Sequence, residues 1–122
     1  IENIKPLIRE RETLSKEIAR LKTEIKAILT QLFPELSKNT NIFTRSILNL
    51  LLKAPSRKAI RNLKKQRIQK ILDDTSGNKV RISADEILSL AKNSIAISDK
   101  YLEKVLTSKI RRLIAIQDEL SF

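Results

Sequence analysis

The sequence contains no cysteine and no histidine. This excludes a disulfide framework, a thiol nucleophile, an imidazole base and any Cys/His metal site. Tryptophan and methionine are also absent, and aromatics make up only 3% of the chain. A core must therefore be built from leucine and isoleucine. Glycine occurs once, at Gly77, and proline three times. An all-β fold needs a turn about every 8–12 residues, and these breakers are too few for one. No apolar run approaches the roughly 18 residues of a membrane span, and no signal-peptide pattern is visible. There is no Gly-rich phosphate loop. No metal, cofactor, small molecule or membrane is therefore expected as a partner. The lack of cysteine is compatible with a cytoplasmic protein. The chain starts at Ile1 and is expected to be part of a longer protein.

What is present is the composition of long helices. The 122 residues are 41% hydrophobic and 32% charged, rich in Leu, Ile, Lys, Arg and Glu. That length suits one domain. From Ile4 to Leu32, the residues Ile4, Leu7, Leu14, Ile18, Leu21, Ile25, Ile28 and Leu32 recur at alternating three- and four-residue steps. This is the seam of a coiled coil, interrupted once by Arg11. Pro34 should stop the helix after Leu32, because it pushes Phe33 out of the α region. A second seam of Leu102, Leu106, Leu113, Ile116 and Leu120 spans Asp99 to Leu120, with Lys109 in its gap and Ser98 as the expected N-cap. A charged residue in a seam either fixes register or extends to solvent.

The fold expected is all-α. Two long amphipathic helices, in segments 1–32 and 98–122, form a coiled-coil-like hairpin. Segment 33–97 forms a cap of short helices. The assembly seam is Leu14, Ile18, Leu21, Ile25, Leu106, Leu113 and Ile116. Its stripes can pair within one chain or between chains, and a stripe this long points to a homo-oligomer. Within the cap, Phe43 to Lys53 reads as a buried helix. Ser56 should cap a helix over Arg57 to Lys64, followed by another ending near Thr75. Thr75-Ser76-Gly77-Asn78 reads as a turn. Ser83 and Glu86 form a capping box for a helix reaching about Ser94.

The charge is concentrated in the middle. Net charge is +11, and residues 36–82 hold twelve bases against two acids, Asp73 and Asp74. The stretch Lys53 to Lys70 has eight bases and no acid. On one helix, Arg57, Arg61, Lys64 and Lys65 would share a face, with Lys58 beside them and Arg67 and Lys70 on the next turns. Phosphate backbones are the usual partner of such a surface, because each contact releases condensed counterions. With so few aromatics to stack on bases, binding would read backbone and shape. The alternative is a solvated face. The acids come as neighbouring pairs (Asp73-Asp74, Asp85-Glu86, Asp118-Glu119) that diverge on a helix, and Ser94 has no histidine to activate it. No catalytic residue is expected.

Several short strings, in order, extend this reading. Arg9-Glu10-Arg11-Glu12-x-Leu14 is followed by Arg20-Leu21-Lys22, Ile25, Leu29 and Phe33-Pro34-Glu35. Pro55, Ile60 and Leu63 come next, then Leu90-Ala91-Lys92-Asn93-Ser94-Ile95. The set resembles the middle region of a bacterial insertion-sequence transposase family, the IS-one-ten family. Ala96 stands where that family often has glycine. The resemblance implies a parent recombinase with an N-terminal RuvC-like domain, a helical coiled-coil region and a C-terminal domain with a catalytic serine. Such enzymes are guided by a structured bridge RNA that pairs with donor and target DNA. This chain resembles only the connecting helical region, so the resemblance assigns it no catalytic residue. It implies subunit assembly and nucleic-acid support in bacterial DNA transposition. Two other readings fit the residues: a pure coiled-coil oligomerisation module, and a basic helical RNA-binding arm of an unrelated protein.

Overall fold

Heptad seams bury only when another helix faces them, and here the two terminal helices face each other. The computed structural model describes residues 4–74 and 82–120. Among the described residues there is no strand, and the helices are α1 (Ile4–Leu32), α2 (Pro34–Asn39), α3 (Arg45–Lys53), α4 (Arg57–Arg61), α5 (Lys65–Asp73), α6 (Ala84–Asn93) and α7 (Lys100–Leu120). The fold is all-α, with α1 and α7 packed together and, among the described residues, five short helices between them in sequence.

The two seams meet inside one chain. Leu21 and Ile25 of α1 and Leu106, Leu113 and Ile116 of α7 are buried, while Leu14 and Ile18 are partly buried against the same core. Burying a side chain of this size is worth about 1.5–3 kcal/mol relative to leaving it in water. The helices run antiparallel. Early residues of α1 meet late residues of α7, with Glu17 on Arg112 and Glu24 on Lys109. Lys109, the charged residue in the second seam, thus sends its Nζ to within 3.0 Å of Glu24 Oε1, and both groups are about one-third exposed. It acts as a rung between the helices. Arg11, its counterpart in α1, is exposed and lies opposite the last residues of α7. It borders a hollow with Leu7, Leu14, Glu119 and Leu120.

Glu17 accepts from both Nε and Nη2 of Arg112, at 3.0 and 3.4 Å. These hydrogen bonds hold its carboxyl below the ordinary glutamate value, aided by the charges of Arg112 and Arg20. The same contacts raise Arg112.

Helix ends follow local chemistry, with some departures from expectation. Phe33 leaves the helical region (φ −161°, ψ 72°), so α1 stops before Pro34 as the proline requires. Pro34 then starts α2, a helix the sequence pattern did not single out. Proline suits a first helical turn because its missing N–H has no partner there. Helix α3 starts two residues later than Phe43. The Phe43 N–H donates to Asn41 Oδ1 (3.0 Å) and the Thr44 hydroxyl to the Asn41 carbonyl (3.3 Å), which holds residues 41–44 in a turn. At α6 Ser83 is the N-cap as expected, with Glu86 N–H donating to Ser83 Oγ (3.2 Å), but the return bond of the expected capping box comes from the Ser83 hydroxyl, which donates to Glu86 Oε1 (3.2 Å).

The cap of α7 is Asp99, not Ser98. Its Oδ1 accepts from the N–H groups of Tyr101 (2.9 Å) and Leu102 (3.2 Å), and its carbonyl accepts from Glu103 N–H (2.9 Å). A carboxylate does this better than a hydroxyl, since it also complements the positive end of the helix. The expected turn at Thr75-Ser76-Gly77-Asn78 lies outside the described residues.

Candidate nucleic-acid interface

The basic stretch begins with a cap. Ser56 is buried, and its Oγ accepts from Ala59 N–H at 3.2 Å, starting α4. The single helix expected over Arg57 to Lys64 is in fact shorter. It closes at Arg61, where Asn62 N–H donates to the Lys58 carbonyl and Leu63 N–H to that of Ile60. Lys64 is extended (φ −77°, ψ 147°), and its carbonyl accepts from Arg67 and Ile68 N–H to open α5. The break redirects the chain. Helix α4 packs on α6, whereas α5 packs on both α3 and α6. Ile60 and Ile68 can then both be buried from two differently aimed helices. Consequently the bases do not form one continuous helical face.

Arg57 has a structural partner. Its Nε donates to the carbonyl of Ala96 (3.1 Å) and its Nη1 to that of Ala91 (3.0 Å). Ala91 is in the last turn of α6, where carbonyls lack helical partners and a cation is favoured. Arg57 therefore ties α4 to the end of α6 and to the segment leading into α7. A second tie holds that segment. Ser94 Oγ donates to Glu35 Oε1 of α2 at 2.6 Å and accepts from Ala96 N–H at 3.2 Å. The other oxygen of Glu35 is buried without a hydrogen-bond partner.

The remaining bases divide. Lys65 lies 2.9 Å from Asp85 Oδ2 on α6, in a largely exposed pair. Such a pair is worth at most about 1 kcal/mol and opens readily to a competing anion. Lys58, Arg61, Lys64, Arg67 and Lys70 are exposed and form no ion pair among the described residues. Lys58 and Arg61 are three residues apart, on neighbouring positions of the outer side of α4.

On α5, Ile68, Ile71 and Leu72 face inward. Arg67 and Lys70 lie on one flank of that apolar stripe and Lys65 on the other. The Arg67–Lys70 flank adjoins the end of α3, where Lys53 joins them around a shallow hollow that also includes Ile71 and Asp74. Lys53 was not among the residues singled out from sequence. It stands 14 positions from Arg67, and only the packing of α3 on α5 brings them together. Among the described residues no group of three or more acidic side chains could hold a metal ion, and no helix is long and apolar enough to cross a membrane. No protein family, curated protein or solved structure matches the chain.

Proposed function

We propose that this chain is a non-catalytic helical region of a DNA transposase or recombinase, whose basic cap holds nucleic-acid phosphates while the terminal helices frame it. The observation that carries the binding half is the exposed set Lys58, Arg61, Lys64, Arg67 and Lys70, which form no ion pair among the described residues, with Asp74 the acid that lines the hollow beside Arg67 and Lys70. A surface meant only for solubility mixes charges of both signs, whereas this one leaves a single sign uncompensated. Arg57 serves the frame, and Lys65 is held by one weak exposed pair. The transposase assignment rests on the sequence strings from Arg9 to Ile95 and on their order. On this reading the protein works in the bacterial cytoplasm, where its nucleic-acid partners are.

The binding half is tested by titrating a labelled duplex against salt. Five phosphate contacts give a slope of log K against log salt of about −4.5, a loss of roughly 500-fold between about 50 and 200 mM. The variant K58Q/R61Q/K64Q should reduce that slope by about 2.7. A wild-type chain with weak, salt-independent binding would instead favour a pure assembly module.

One observation supports an assembly role in addition. Leu7 and Ile8 are 62% and 49% exposed near the start of α1. The internal seams are already occupied within the chain, so exposed apolar residues such as these, together with Ile95, Ile97 and Tyr101 before and at the start of α7, are left for contact between copies. On this reading L7K/I8K converts an oligomer to a monomer in sedimentation while the melting temperature holds. An unchanged mass would remove the assembly role from this end of the molecule.

A further inference from the structure

We propose that the cationic surface does not end at α5 but continues across the end of α3 onto α7, as one track for the backbone of a nucleic-acid double helix. The proposal rests on the nucleic-acid reading above and extends it to residues far outside the basic stretch.

Three shallow hollows carry the argument, because they share walls. The first holds Arg67, Lys70 and Lys53, with Ile71 and Asp74. The second shares Lys53, Ile71 and Asp74 with it, and adds Leu52 and Asn49. The third shares Leu52 and lies against α7, between Pro55 and a row of Lys100, Lys104, Thr107 and Arg111. Hollows with common wall residues are neighbours, so together they form one furrow from α5 over α3 to α7. The packing of α3 on both α5 and α7 explains the continuity.

The α7 row is a helical stripe. Positions 100, 104, 107 and 111 are separated by four, three and four residues, which places them on one face. Lys100, Lys104 and Arg111 are exposed and form no ion pair among the described residues. The stripe is about 16 Å long, roughly five nucleotide steps of one strand. Along the whole furrow there are six bases (Lys53, Arg67, Lys70, Lys100, Lys104, Arg111) and two acids, Asp74 and Glu103. Two acids among six bases leave the furrow net positive along its length.

The lining also decides what kind of nucleic acid fits. Sequence-tolerant binders of single strands stack bases on aromatic rings. None of the residues lining the three hollows is aromatic. Lysines and arginines above an aliphatic floor engage phosphates and leave the bases paired. The occupant that fits is therefore a double helix.

The test uses the full chain and three probes: a 20-base-pair DNA duplex, an RNA hairpin of equal stem length, and the corresponding single strand, each titrated against salt. The variant K100Q/K104Q/R111Q changes only exposed side chains, and circular dichroism checks that it folds. Its salt slope on the duplex probes should be smaller than wild type by about 2.7, and R67Q/K70Q should reduce the slope by about 1.8. Single strand should bind more weakly than at least one of the paired probes. If wild type and R67Q/K70Q differ but the α7 variant binds like wild type, the track is wrong and the basic cap stands. If wild type itself shows no salt-dependent binding, the nucleic-acid reading fails and the track fails with it. Tightest binding to the single strand would overturn the double-helix assignment.

Discussion

Replacing Arg57 separates a residue that holds the fold from one that holds a ligand. In the structure its guanidinium gives two hydrogen bonds, to Ala91 and Ala96 carbonyls at 3.0 and 3.1 Å. A hydrogen bond involving a charged group contributes about 1.5–3 kcal/mol. Because Arg57 is only part-buried, water can replace some of this, so the lower figure applies to each bond. R57A should then cost about 3 kcal/mol. For a domain of this size that is a fall in Tm on the order of 10 °C. R57K keeps the charge but loses the fork that reaches two carbonyls at once, so it should recover less than half of the loss. The assay is urea unfolding followed by circular dichroism, with duplex binding measured well below the midpoint. The salt slope of the folded R57A variant should match wild type. R57A with an unchanged midpoint and a salt slope reduced by about 1 would refute the reasoning, because Arg57 would then be a phosphate contact and not a tie between helices.

Three further outcomes follow from the packing and the caps. L113A removes a fully buried side chain between α1 and α7 and should destabilise the chain by about 2–5 kcal/mol in the same urea assay. D99A removes the acceptor of two N–H groups at the start of α7 and should cost about 1 kcal/mol, while S98A should cost nothing measurable. Glu17 has a depressed value in the folded chain, so its contribution is present at neutral pH and is lost as pH falls through the ordinary glutamate range and then through the lowered folded value. Acid titration of stability should therefore show a smaller loss over that window in E17Q than in wild type.

Much of the frame was legible in the sequence because it depends on local rules. The three- and four-residue spacing of Leu21, Ile25, Leu106, Leu113 and Ile116 identifies two seams, and the only mates of similar length in one chain are each other. Phe33-Pro34 marks a helix stop, and Ser83 with Glu86 marks a helix start, because both effects act over three residues or fewer. The α7 start was misread by one position since Ser98 and Asp99 are both good caps, and only the reach of Asp99 Oδ1 to two N–H groups separates them. The candidate site was less legible. Nothing in the spacing of Arg57 indicates that its partners lie 34 and 39 residues away. Lys53 joins Arg67 and Lys70, and Lys65 turns to Asp85, through the break at residues 62–64, and that break has no proline or glycine to announce it. A run of like charge tells which residues repel one another, and tertiary packing decides which of them share a surface.

The rungs between the terminal helices span 85 and 95 positions of chain. Closing such a distance by chance search is entropically costly, and contacts of this span slow folding. At a synthesis rate of about 5–20 residues per second, α1 waits several seconds for its mate. Until then Leu21, Ile25 and Leu29 form an orphan greasy edge on a nascent polypeptide. Folding in the cell thus depends on what shelters that edge during translation, and a chain truncated before residue 100 should aggregate instead of yielding a smaller soluble piece.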